Sequence, residues 1–131
     1  MTTSMRRETT FMLRTWLGVE RLLELPFFQG QDANDWEAFL DLSSDVSWNE
    51  FAPCYKATDH DEPRLESGRV HVEPGLMSAL HVFLEAGLHQ ATAKPEVGGM
   101  GLPFAIASAA MAELMAANVA GSGFVMLSIA N

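Results

Sequence analysis

Apolar residues recur along this chain at helical spacing more often than at the alternating spacing of strands. Trp36, Phe39, Leu40 and Val46 form one such stripe, running toward Phe51 and Ala52 with Pro53 as its stop. Asp32 stands where an N-cap belongs, and Asp35 and Glu37 fall in the first turn, where the positive end of the helix dipole favours acids. The stripe predicts an amphipathic helix of about five turns. Ser43, Ser44 and Ser47 lower its intrinsic propensity, so packing has to stabilise it. Ahead of it, Phe11, Leu13, Trp16, Leu17 and Val19 make an apolar opening, and residues 19–25 read as a short helical segment ended by Pro26.

Residues 54–73 are polar and turn-rich. Within them R-L-E-S-G-R-V-H-V, near 64–72, alternates around Gly68 and predicts a small hairpin. Pro74 then begins a second helix with Leu76, Ala79, Leu80, Phe83 and Leu84 on one side and Gly87 as its C-terminal stop. A third helix follows Pro103 with Phe104, Ala107, Met111, Leu114 and Met115, and a fourth is expected from about Ser122. Its segment F-V-M-L-S-I-A-N has no glycine cap, basic last turn or polar tail, and predicts an element continuing past Asn131. The expected fold is all-α, a helical bundle forming one domain over 1–131, with the hairpin as an appendage.

Charge sharpens this picture. The net charge of -9 and pI near 4.7 exclude the basic footprint of a nucleic-acid binder and give no attraction to anionic lipid. From Gly75 onward the charged residues are Glu85, Lys94, Glu96 and Glu113 alone, so this half is expected to be covered, either by the first half or by a partner. The apolar run 104–130 is interrupted by Glu113, Asn118 and Gly121-Ser122-Gly123, leaving pieces too short or too polar for a membrane span. Cys54 is alone, which precludes an internal disulfide and fits a reducing, cytoplasmic setting.

Candidate chemistry is sparse. Gly98-Gly99-Met100-Gly101 is neither a Walker loop nor a dinucleotide fingerprint, but bare amides before a helix can hold an anion, so a phosphate cradle stands beside a tight structural turn, the weightier reading. His60 within D-H-D-E has no metal-ligand spacing with His71, His81 or His89. Ser122 lies in G-S-G rather than in a nucleophile elbow. Glu113, on an apolar helix, reads either as a buried acid or base or as an exposed stripe residue. The methionines at 100, 111, 115 and 126 read as adaptable core. No complete catalytic constellation and no metal site emerge.

The order of several motifs resembles the amino-terminal helical domain of the FAD-dependent acyl-CoA dehydrogenases, particularly a long-chain bacterial subgroup. The motifs are T-F-M-L-R-T-W-L-G-V-E-R-L-L at 10–23, F-A-P at 51–53, D-E-P at 61–63, P-E-V-G-G-M-G-L-P at 95–103, A-A-N-V at 116–119 and S-I-A-N at 128–131. The resemblance implies that the glycine turn links two packed helices. It implies α,β-dehydrogenation of an acyl-CoA thioester, with the catalytic glutamate and much of the FAD site on further domains of the same or a partner chain. A homo-oligomer is implied as well, and this chain alone is expected to bind FAD poorly and to be inactive. By the same resemblance Val125, Met126, Ile129 and Ala130, one apolar helix face, border the acyl tail, and the other reading of that face is packing in the helical core. The alternative expectation is a stand-alone, non-catalytic helical binding or assembly module.

Overall fold

The computed structural model describes residues 3–129, with side chains from residue 5 onward. The chain is mostly helical, with one two-stranded hairpin among the described residues. Helix α1 (Thr3–Thr10) passes through a wide π turn, Phe11–Trp16, and short 3-10 segments, Val19–Glu24 and Pro26–Phe28. Arg6 fastens α1 to the next helix, α2 (Ala33–Val46), by ion pairs of 2.6 Å with Glu37 and 2.8 Å with Asp41. Asp32 caps α2 by accepting from the Asn34 amide, as expected.

The long second segment departs from the expected stop. Rather than ending at Pro53, α2 passes through a π turn, Ser47–Phe51, directly into α3 (Ala52–His60). Proline in a regular helix clashes with the carbonyl four residues back and lacks a donor. Here it falls in the first turn of α3, where its missing N–H costs least. The turn-rich reading of residues 54–60 is therefore corrected: Cys54–His60 is helical, with only Cys54 of this polar stretch buried. Packing does support the serine-rich part of α2, because Ser43, Ser44 and Ser47 are all buried, and the Ser47 hydroxyl donates to the Ser43 carbonyl at 2.7 Å. Small side chains there let α2 lie close against α5 (Phe104–Ala117).

The hairpin forms as expected, β1 (Arg64–Glu66) antiparallel to β2 (Arg69–His71), with Leu65 opposite Val70. Ser67 and Gly68 both have positive φ, 51° and 78°, the backbone of a tight two-residue turn matched to strand twist. Helix α4 (Pro74–Glu85) is capped by the Glu73 carboxylate, which accepts from the Leu76 amide at 2.7 Å. Gly87, at φ 72°, follows its C-terminus. The core joins Trp36, Phe39 and Leu40 of α2 to Phe51, Leu76, Phe83, Ile106 and Leu114. Phe51 and Phe83 meet edge to face with centroids 6.2 Å apart.

Helix α6 (Val119–Ile129) begins three residues before the expected position, and Gly121-Ser122-Gly123 lies inside it. Two causes act together. The Asn118 side chain caps the helix by accepting from the Gly121 amide at 2.9 Å. Gly121 also sits against α3's approach and α4: a Cβ there would lie 2.7 Å from Phe51 Cδ1 and 3.0 Å from Leu76 Cδ1. Glycine in this helix thus serves close packing, and its usual propensity cost is offset. By contrast, a Cβ at Gly123 meets nothing within 4 Å. Gly121→Ala is expected to lower stability by about 2 kcal/mol, as overpacking does, whereas Gly123→Ala should raise it by about 0.5–1 kcal/mol through helix propensity. Urea unfolding of the two variants checks both signs.

Candidate functional site

The glycine turn places its own amides beyond a ligand's reach. The N–H groups of Gly98, Gly99, Met100, Gly101 and Leu102 donate to the carbonyls of Pro95, Lys94, Gln90, Ala93 and Ala91 at 2.8–3.0 Å. Those donors are consumed by the loop itself, so the structural-turn reading holds and the phosphate cradle falls. Gly98 and Gly101 have φ of 85° and 63°, and a Cβ on Gly99 would lie 2.0 Å from the Ala93 carbonyl oxygen. Gln31 binds the turn to the rest of the molecule, donating to the Gly101 carbonyl at 2.9 Å and accepting from Trp36 Nε1 at 2.8 Å. Gly99→Ala should cost more than about 3 kcal/mol, because backbone rather than a flexible side chain must move. At Gly98, where a Cβ has open space, alanine should cost only the left-handed backbone, about 1–2 kcal/mol. Thermal midpoints of the pair measure the difference.

Residues of α2, α4, α5 and α6, with the segment after α4, frame an apolar groove of about 350 Å³, the lower end of the roughly 300–1,000 Å³ typical of small-molecule pockets. Phe39 of α2, Phe83 of α4 and Leu88, His89, Ala91 and Thr92 contribute to its lining. Helix α5 supplies small side chains, Ala107, Ser108, Ala110 and Ala112, among the larger Phe104, Met111 and Met115. Met126 and Ile129 reach it from α6. The expected third-helix face, Phe104, Ala107, Met111, Leu114 and Met115, thus lines this groove, while Ile106, Ala110, Glu113, Leu114 and Ala117 are the buried residues of α5.

The four residues expected to face an acyl tail separate in space. Met126 and Ile129 line the groove and remain partly exposed. Val125 is buried in the core cluster and is not among the lining residues. Ala130 lies outside the described residues. The groove's other contributors, above all Phe104 and the small face of α5, come from a helix to which the sequence reading gave no ligand role. The alanine-rich pattern A-I-A-S-A-A was the available signal, since a helix of small side chains leaves volume unfilled unless larger partners reach across.

Other candidates lose their chemistry to local bonds or to position. The Ser122 hydroxyl donates to the Val119 carbonyl at 2.7 Å inside α6. His60 ends α3 in an exposed position, and no group of His, Cys, Asp and Glu among the described residues is arranged to hold a metal ion. Glu113 is buried, which overturns its reading as an exposed stripe residue, and its Oε1 has no hydrogen-bond partner; it is not among the residues lining the groove. No described helix is long and apolar enough to cross a membrane. His89, half-buried at the groove, has a buried Nδ1 without a hydrogen-bond partner.

Cys54 belongs to a polar knot beneath α6. Asn118 Nδ2 lies 3.1 Å from the Phe51 carbonyl, 3.2 Å from Thr58 Oγ1 and 3.4 Å from Cys54 Sγ. Burial pushes the thiol pKa above its ordinary 9.0 and the Glu73 carboxylate adds to the rise, against the opposing effect of the Asn118 hydrogen bond. A raised folded value means that the neutral thiol is favoured by folding. Its contribution is complete below that ordinary value and is lost as pH rises through the folded one. The thermal midpoint should therefore fall as pH rises past the thiol's ordinary value, and fall less steeply in Cys54→Ala, as parallel melts on the alkaline side would reveal.

No protein-family model matches the chain, and neither a curated protein nor a solved structure matches it.

Proposed function

We propose that the chain is the amino-terminal helical part of a flavoprotein resembling the acyl-CoA dehydrogenases, and that its groove receives the acyl tail of a thioester substrate. The observation that carries this reading is the groove: an apolar channel-like space of about 350 Å³, bordered by Met126 and Ile129 on α6. An aliphatic tail there gains about 0.8 kcal/mol per methylene removed from water and needs few polar partners. The motif order in the sequence supplies the chemical class. In this reading FAD and the carboxylate that removes the α-proton belong to further domains or a partner chain, because Glu113, although buried, does not border the groove. The chain then contributes substrate binding and not the chemical step, and the dehydrogenase works as a homo-oligomer in the cytoplasm.

A second reading, a stand-alone helical binding or assembly module, is favoured by exposed apolar residues on α5 and α6. Phe104, Val119 and Leu127 are 80%, 61% and 73% exposed. The two readings share the groove but not its ligand. Displacement of a hydrophobic dye from the 131-residue chain by octanoyl-, decanoyl- and dodecanoyl-CoA tests the first. Affinity should rise about tenfold for each two methylenes until the groove is filled, with coenzyme A alone inert and Ile129→Trp shortening the longest tail accepted. Absence of displacement, or displacement by coenzyme A alone, would leave the assembly module. With FAD and an electron acceptor added, the chain alone should give no turnover.

A further inference from the structure

Helix α6 is apolar on the side that faces water. Gly121, Ser122 and Val125 are its buried residues, and the helical period puts Ala120, Gly123, Phe124 and Leu127 on the opposite side. Ala120, Phe124 and Leu127 are exposed and Gly123 is half-buried. A surface helix of a self-sufficient domain turns polar residues outward, whereas one that is apolar all round is covered.

Gly123 has no explanation inside its own chain. A Cβ added there meets nothing within 4 Å, and the backbone is that of the surrounding helix. Neither close packing nor a left-handed conformation requires glycine, which is among the least favourable residues in a helix interior. A bare backbone at that point serves an approach from outside.

Charge and residue order identify what approaches. With a net charge of -9, two copies of the chain repel one another over most of their surface. The exception is here, because α5 and α6 carry a single charged residue, Glu113, and it is buried. The order Ala120, Gly123, Phe124, Leu127 is also complementary to itself when reversed. With a two-fold axis between Gly123 and Phe124, Gly123 of one copy faces Phe124 of the other and Ala120 faces Leu127, each pair occurring twice. Every large side chain then meets a small one. Parallel pairing would instead set Phe124 against Phe124 and Leu127 against Leu127, and would leave the recess at Gly123 empty.

We propose that the outward face of α6 binds a second copy of this chain, the two α6 helices packing antiparallel about a two-fold axis at Gly123 and Phe124. This gives a surface to the homo-oligomer in the functional reading above and is independent of what the groove binds.

Sedimentation equilibrium of the full 131-residue chain tests it. The wild type should form a dimer, tightening as salt screens the like charge of the two copies. Gly123→Ala should act in opposite directions on two measurements: it stabilises the single chain against urea at low concentration, yet weakens the dimer about tenfold or more, because a methyl group enters the contact on both copies. Ala120→Lys and Leu127→Glu alter exposed positions and leave the single chain folded. Each should weaken the dimer at least about tenfold by bringing an unpaired charge into the contact. An equal mixture of these two variants should recover a heterodimer, since the introduced lysine of one copy then faces the introduced glutamate of the other. A wild type that stays monomeric at every salt concentration overturns the proposal and assigns the face to a different partner. A dimer indifferent to these substitutions overturns it by placing the interface elsewhere, and a mixture that fails to recover overturns the antiparallel pairing on which it stands. Displacement of dye by acyl-CoA is a separate measurement, so the tail-binding reading is decided independently of all three.

Discussion

The Asn118 carboxamide holds together the part of the molecule on which the groove depends. Asn118 has no exposed surface, so each of its polar atoms must find a partner inside the protein. Its oxygen accepts from the Gly121 amide and its nitrogen reaches the Phe51 carbonyl, with Thr58 and Cys54 alongside. One side chain thereby ends α5, starts α6 and anchors that junction to the π turn and α3. Its backbone, extended at φ -159°, breaks the helix so that α6 sets off in a new direction. Without that break the continuous apolar run would carry Met126 and Ile129 away from the groove they border.

Close approach at the junction follows from the same arrangement. Gly121 admits Phe51 and Leu76 at distances no side chain would allow, and these two residues are almost wholly buried. The π turn that brings Phe51 inward also moves Pro53 to the first turn of α3, where its ring is tolerated. The irregularities along 47–53 and 118–121 are thus complementary: each supplies the partner or the space that the other requires.

The groove is a consequence of what α5 lacks. Its alanines favour the helix intrinsically but fill little volume, and the larger Phe104 and Met115, which also line the groove, are exposed. Of the few charged residues after Gly75, only Glu113 lies on α5 or α6, and it is buried. The outward surface of these two helices therefore has no described charged side chain to orient water or repel an apolar ligand. That property connects the charge asymmetry of the chain to the tail-binding role proposed for the groove.

Signals that act within one or two helical turns were legible in the residue order. Asp32 as a cap, Gly68 as a hairpin turn, Pro74 and Gly87 as the ends of α4, and the Trp36, Phe39, Leu40 and Val46 stripe each occur where those local rules place them. Met126 and Ile129 were legible as apolar helix positions, but their separation from Val125 at the groove was not. The helix through Pro53, the glycines inside α6, the burial of Glu113 and the unpartnered nitrogen of His89 all depend on residues far away in the chain. A glycine reads as a break until Phe51 and Leu76 occupy the space beside it. A row of alanines reads only as helix until the structure shows part of it lining a groove. Sequence determined where backbone conformation is cheap; tertiary structure alone decided where atoms from distant segments meet, because close contact and desolvation depend on both sides of the contact.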